Sequence, residues 1–249
     1  MKGGTRRRKS EAKIRRADEN GLERGRLLKR TFFEDAPERV APKLLGKVLA
    51  RRTRSGWVAG RIVEVEAYLG PHHEVADPAA HSYRGPTPRN RVMFGPAGHA
   101  YVYSIYGQYY CMNITCEKEG LAGGVLLRAL EPVAGMEEMA RNRGFDSAAA
   151  AGRELTCGPG RLCQALGLTR PEHNGLDLLD ASSPLQVWDD GTRVRRVLVT
   201  RRIGLTLAVE LPLRFAVPGS ACVSGPKRME GKYVVLGRRI VRRAKRLQS

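Results

Sequence analysis

The stretch Arg61 to Gly70, RIVEVEAYLG, alternates apolar and polar side chains with the period of two that marks a β-strand. Val63, Val65, Ala67 and Leu69 are expected on one side, and Glu64, Glu66 and Tyr68 on the other. Such alternation belongs to an antiparallel sheet with one face packed and one face polar. A row of two carboxylates and a tyrosine has two readings. The ordinary one is a wet sheet face; the other is an active site.

The flanking sequence extends this strand into a sheet. Val48 to Arg52 leads to a turn at Ser55-Gly56, and Trp57 begins the strand that continues into RIVEVEAYLG, which is a hairpin pattern. Ala100 to Thr115, AYVYSIYGQYYCMNIT, is strand-like and aromatic, with a break at Gly107. Gly124 to Leu130 is a further strong strand, and Val197 to Thr200 and Leu213 to Val217 are later ones. Helices are expected over Glu38 to Leu45, Met136 to Arg143 and Pro159 to Leu166. Pro71 to Arg91 is rich in Pro, Gly, His and Arg without periodicity, and a loop of that length in a compact domain is commonly functional. The pattern predicts an α+β chain with many strands and no internal repeat.

The 249 residues carry a formal net charge of +19, with 34 Arg against 10 Lys. That excess points to a polyanionic partner, and the guanidinium fork favours nucleic acid over a diffuse membrane surface. Genomic GC content is a second source of arginine that composition does not separate from the first. Residues 1–30 hold twelve basic and four acidic residues and no aromatic, so they are expected to form a basic arm outside the folded unit. Residues 226–249 are a second basic segment, in which GRRIVRRAKRL is a candidate amphipathic helix. No 18-residue apolar window and no secretory h-region occurs. The five cysteines include no CxxC pair and are expected to be reduced packing residues of a cytosolic protein.

Tyr101, Tyr103, Tyr109 and Tyr110 flank the Gly107 break. Tyrosine is common in strands, and it is also a flat platform for a base, worth about 1–3 kcal/mol per stacked base. Beside Glu66, in a chain this basic, the second reading gains weight. Eight motifs then occur in a familiar order: VEAYLG at 65–70, AHSYRG at 80–85, TPRNRVMF at 87–94, YVYSIYG at 101–107, CMN at 111–113, LLRALEP at 126–132, GPGRLCQALG at 158–167 and PLRF at 212–215. On these motifs the chain resembles the alkyladenine (3-methyladenine) DNA glycosylases over about residues 31–225.

The resemblance implies a single compact domain over 31–225, with a curved, mainly antiparallel, barrel-like sheet surrounded by helices, similar to the formyltransferase C-terminal domain. It implies excision of damaged purines from double-stranded DNA by base flipping, with no cofactor, by a monomer in the cytoplasm and nucleoid, or in the nucleus of a eukaryote. Alkylated purines, hypoxanthine and ethenoadenine all suit a tyrosine-walled pocket. Glu66 matches the family's catalytic glutamate, able to take a proton from water and to stabilise an oxocarbenium-like sugar. Arg128 matches the arginine beside that water, where its charge is expected to keep the glutamate ionised. Tyr68 and Tyr103 match the two walls of the base pocket, and His81 the imidazole against the flipped base. Asn113 matches the side chain that crowds a guanine 2-amino group, and Tyr106 the wedge that fills the gap in the duplex. Thr87, Arg89, Asn90 and Arg91 of the loop, together with Gln108, Tyr109 and Arg161, are candidates for the DNA backbone. Arg161 follows the Gly158-Pro159-Gly160 turn, where a helix N-terminus favours phosphate. Glu64 has no assigned chemistry and is read as a neighbour or a structural ion pair.

The chain departs from mammalian-type members in a longer spacer, EAYLGPHHEVADPAAH, that carries His72 and His73. A metal site with Glu74 and Asp77 is conceivable there, but the family needs no metal. Two other classes compete with the glycosylase reading. A basic RNA-binding module needs no Glu66 beside Arg128. A metal-dependent nuclease would use Glu64, Glu66, Asp77 and His81. A lyase step is not expected, because no lysine lies between Lys47 and Lys118.

Overall fold

The computed structural model describes residues 25–225 and 231–236. The strands are β1 (Arg26–Leu27), β2 (Val48–Thr53), β3 (Gly56–Tyr68), β4 (Ala100–Ile105), β5 (Tyr109–Cys116), β6 (Gly123–Ala134), β7 (Leu185–Asp189), β8 (Arg196–Thr200), β9 (Arg214–Ala216) and β10 (Lys232–Val235). The helices are short: α1 (Pro37–Leu44), α2 (Met136–Arg143), α3 (Ala148–Ala151), α4 (Pro159–Ala165) and α5 (Arg170–His173).

All strand pairings are antiparallel. The sheet runs β1-β7-β2-β3-β6-β5-β4, with a branch from β3 through β9 and β8 to β10. β3 is the hub. β6 occupies one of its edges from Ala59 to Tyr68, so β2 and β9 share the other, β2 over residues 56–61 and β9 over residues 64–66. Among the described residues no pairing joins the ends of this path. The mainly antiparallel sheet is as expected, but it is open, and the barrel-like closure is not found. Strand periodicity reports which face a residue takes; it says nothing of whether the last strand meets the first.

The core lies between α1, α4 and one face of the sheet. Val40 and Leu44 of α1 and Leu162 of α4 join Val65, Ala67, Met112, Ile114 and Leu127 in one buried cluster. β3 reaches this cluster by changing parity. Val58 and Ile62 are in it before a register shift between Ile62 and Glu64, and Val65, Ala67 and Leu69 after it. Val63 therefore leaves the set predicted for it and packs with Ala129, Ala216 and Val223. A β-bulge inserts a residue and re-aims the side chains around it; here both Glu64 and Glu66 are brought against one arginine of β6, Arg128.

At the N-terminal side, β1 pairs with β7, so the sheet already includes residues of the segment expected to be a basic arm. At the other end β10 pairs with β8. The candidate helix GRRIVRRAKRL lies outside the described residues. All five cysteines are free and four are buried, as expected for packing residues.

Candidate active site

Glu66 is fully buried, yet neither carboxylate oxygen is idle. Oε1 accepts from the Ile203 backbone N–H at 2.8 Å. Oε2 accepts from the Tyr68 hydroxyl at 3.0 Å and faces an Arg128 guanidinium nitrogen at 3.2 Å. Burial and the Glu66 charge both push the Tyr68 phenol well above its ordinary value, so it stays a protonated donor. Burial opposes the Arg128 charge, but Glu66 and Glu64 outweigh it and raise the guanidinium pKa further. Arg128 is a cation clamped between two carboxylates.

Glu64 anchors that clamp. Its Oε1 receives Arg128 Nε at 2.9 Å, Arg214 Nε at 2.7 Å and the Ser224 hydroxyl at 2.8 Å, and its Oε2 receives the Ser224 N–H at 2.6 Å. Glu64, Glu66, Arg128 and Arg214 are thus two anions and two cations in one buried, hydrogen-bonded group. Charges at such depth are tolerable when paired and fully bonded. A second buried pair supports it. Arg202 holds both oxygens of Asp77 at 2.7 Å, donates to the Ala67 carbonyl at 3.0 Å, and places its guanidinium 4.5 Å from the centre of the Tyr68 ring.

Above this floor lies an aromatic cluster. Tyr68 and Tyr103 are buried with Tyr101, Met93, Cys111 and Leu126. Tyr101 and Tyr103 stack at 5.2 Å between centroids, and the His81 ring meets Tyr103 edge-on at 4.6 Å. His81 Nδ1 lies 3.1 Å from the Tyr101 hydroxyl. His81 shows part of its surface to solvent, but the packed side of its ring is desolvated; that burial, then Arg89, lowers its pKa and favours the neutral imidazole near pH 7. A cavity of about 300 Å³ opens beside it, lined by His81, Tyr83, Thr87, Arg89 and Tyr101 among others. Burial pushes the Cys111 thiol up to about 11, which leaves it a neutral packing group. Asn113 is buried between Tyr101 and Leu126 of the flanking strands, and its Oδ1 has no hydrogen-bond partner.

Tyr106 is the counterpart of these buried groups. It sits at the tip of the β4–β5 hairpin, 92% exposed, at φ +50°. A left-handed backbone is costly for a bulky residue and marks a position whose side chain is wanted there. Gln108 and Tyr109 follow on the same hairpin and line a groove of about 310 Å³ with Gly160 and Gln164 of α4. Arg161 projects from the first turn of α4 toward Glu154, 3.6 Å away. In the long loop, the Asn90 side chain caps Thr87 and bonds the His81 carbonyl, which fixes the loop and leaves Arg89 and Arg91 exposed.

The structure brings together Glu66, Arg128 and Tyr68, and gathers Tyr103 and His81 with the Tyr68 cluster. The residues that a nuclease would need are already engaged by neighbouring side chains. Asp77 is engaged by Arg202, Glu64 by Arg128 and Arg214, and His81 by Tyr101. Sequence reasoning missed Arg214, Ser224, Arg202 and Ile203. Arg214 lies within PLRF, a motif that was legible without its role; Ile203 contributes only a backbone N–H, which no side-chain pattern announces.

Glu66, Tyr68 and Arg128 thus form a buried, charge-balanced group that joins a cluster of tyrosines with His81 at its edge. The family model of the methylpurine-DNA glycosylases matches residues 31–221. The chain is 50% identical over 200 residues to a protein of Koribacter versatilis named "Putative 3-methyladenine DNA glycosylase", covering 80% of this chain and 94% of that one. Proteins with the same name match from Burkholderia lata, 45% identical over 214 residues (86% and 98% of the two chains), and Methanoculleus marisnigri, 49% identical over 197 residues (78% and 96%). The chain belongs to the methylpurine-DNA glycosylase family. It is a DNA glycosylase, a hydrolase of DNA repair.

Proposed function

We propose that the chain acts as a monomer on duplex DNA in the cytoplasm and nucleoid. It flips 3-methyladenine, 7-methylguanine, hypoxanthine or ethenoadenine out of the stack and hydrolyses the N-glycosidic bond. The products are the free base and an abasic site. The observation that carries this reading is the hydrogen bonding of Glu66. A carboxylate offers about four acceptor sites; the Ile203 N–H and the Tyr68 hydroxyl take two, and the Arg128 guanidinium stands against the same carboxylate as an ion pair. A remaining lone pair receives the attacking water and removes its proton as the water approaches the sugar C1′. The ionised pair Glu66–Arg128 lies where the sugar gains positive charge, so the carboxylate also stabilises that charge.

In this reading Tyr68 and Tyr103 enclose the flipped base and His81 contacts it. An electron-poor alkylated purine is held over tyrosine faces much as a cation is. Tyr106 enters the gap left in the duplex. Thr87, Arg89, Arg91, Gln108, Tyr109 and Arg161 bear on the phosphates, and they hold register rather than read sequence. Asn113 excludes guanine by crowding its 2-amino group. Asn113→Ser is therefore expected to widen excision toward guanine-type lesions, and unchanged discrimination between hypoxanthine and guanine duplexes removes Asn113 from that role.

The experiment is a duplex carrying one hypoxanthine, incubated in EDTA and then treated with alkali. A break at the lesion that needs the alkali establishes a monofunctional glycosylase. A break without alkali identifies a lyase or a nuclease. No product on hypoxanthine or on methylated DNA leaves a non-catalytic nucleic-acid binder.

A further inference from the structure

We propose that His72, His73 and Glu117 form a site for a divalent transition-metal ion of the zinc class, separate from Glu66. The two imidazoles converge on one carboxylate oxygen. His72 Nε2 lies 2.9 Å and His73 Nε2 3.0 Å from Glu117 Oε1. One donor atom from each residue falls within 4.8 Å of the others, and among the described residues no other His, Cys, Asp or Glu group does so. Two imidazoles and a carboxylate are a ligand set zinc accepts, with bonds of about 2.0–2.2 Å and a fourth position open to water. The donors in a tetrahedral zinc site stand about 3.3 Å apart at such bond lengths, so small rotations of the rings admit the ion.

Three further observations point to a cation. First, Glu117 is more than nine-tenths buried, and its Oε2 has no hydrogen-bond partner. A buried carboxylate left part-satisfied is costly, and a metal ion removes the cost. The neighbouring guanidinium of Arg39 does not fill that role, because it is bonded to Asp35. Second, Glu117 holds φ +73°, a conformation a glutamate rarely adopts. It keeps that position through its own N–H, which bonds the Phe33 carbonyl at 2.8 Å. Third, His73 lines a cavity of about 450 Å³ together with Glu38, whose Oε2 is also buried without a partner. That cavity gives an ion a route in and room for its water.

Gly70 makes the approach of the histidine segment possible. A Cβ there would stand 1.7 Å from the Ala122 carbonyl oxygen and 2.7 Å from His72 Cε1. The histidines belong to the segment that follows β3, and Glu117 comes directly after β5. A bound ion would tie the loop that leads from Tyr68 to His81 to the end of β5. It takes no part in bond cleavage, and the proposal does not depend on the role of Glu66.

The test uses the full chain, stripped with chelator and titrated with zinc(II) against a chromophoric chelator, and with cobalt(II) for its absorption spectrum. The expected result is one zinc per chain, a tetrahedral cobalt spectrum, and a rise in thermal midpoint with zinc. The double variant His72→Ala/His73→Ala loses the cobalt spectrum and the thermal shift and binds zinc at least about tenfold more weakly. The His72 and His73 side chains are partly exposed, and circular dichroism of the apo double variant matching that of the apo parent shows that its fold is retained; Glu117→Gln is the companion variant. Zinc bound as tightly by the double variant as by the parent, or no zinc bound by the parent, overturns the proposal.

Discussion

The floor of the site and the tip of the β4–β5 hairpin are built on opposite principles. At the floor, Glu64 and Glu66 are wholly buried, and their oxygens are taken up by Arg128, Arg214, Ser224, Ile203 and Tyr68. At the tip, Tyr106 is almost wholly exposed and holds a left-handed backbone. The floor is held by mutual satisfaction, so a change there costs stability. The tip stands in the turn between two strands, and the left-handed backbone at Tyr106 lowers stability where the ring is displayed. A glycosylase needs both, because water must be aligned within a hydrogen bond while a duplex is entered from outside.

The largest expected break in this contrast is Glu64→Gln. It leaves Arg128 and Arg214 sharing one buried anion instead of two, and losing a partner from a buried ion pair costs about 3–5 kcal/mol. Chemical denaturation is expected to show a loss of that order, with excision falling in proportion to the folded fraction. A full-stability variant with altered excision would move Glu64 from support into the reaction. Tyr106→Gly tests the opposite end. Glycine accepts the positive φ, so stability is expected to rise by about 1 kcal/mol while excision from duplex DNA falls. An excision rate equal to that of the parent would contradict the wedge role.

The smallest effect is one of pH. Burial lowers the His81 pKa, so the unfolded chain binds that proton more readily than the folded one. The His81 contribution to stability is therefore present above the ordinary value of 6.5 and is lost as pH falls below it toward the folded value. His173 is shifted in the same direction, again chiefly by burial. His81→Gln is expected to make the decline below pH 6.5 shallower without abolishing it. An unchanged decline would show that His81 is not desolvated against Tyr101 and Tyr103.

Much of this was legible in the chain. The β2–β3 hairpin, the break at Gly107 and the α2 span from Met136 to Arg143 follow from local pattern. Glu66, Tyr68 and Arg128 were named from motifs, and they meet. The face of Val63 was misread because a bulge changes parity where the letters keep alternating. β7, LQVWD, was not foreseen; it lies between polar loops, and its Trp188 finds Trp57 across a long separation. The partners of Glu64 come from Arg214 and Ser224, 150 and 160 residues away, and no local period encodes such a meeting. His72 and His73 were noticed as possible ligands with Glu74 and Asp77. The structure gives Asp77 to Arg202 and supplies Glu117 from another strand end.

The measurement that bears most directly on the account is single-turnover excision of hypoxanthine by Glu66→Gln, beside its affinity for the same duplex. Glutamine keeps the size of the side chain, and its single carbonyl oxygen can still accept from the Ile203 N–H while its NH2 takes the place of Oε2 beside the Tyr68 hydroxyl, but it does not take a proton from water. The rate is expected to be lower by roughly 10²–10⁴, with affinity for lesion DNA retained. A rate within a few-fold of the parent would contradict this expectation and return the carboxylates of β3 to a purely structural role.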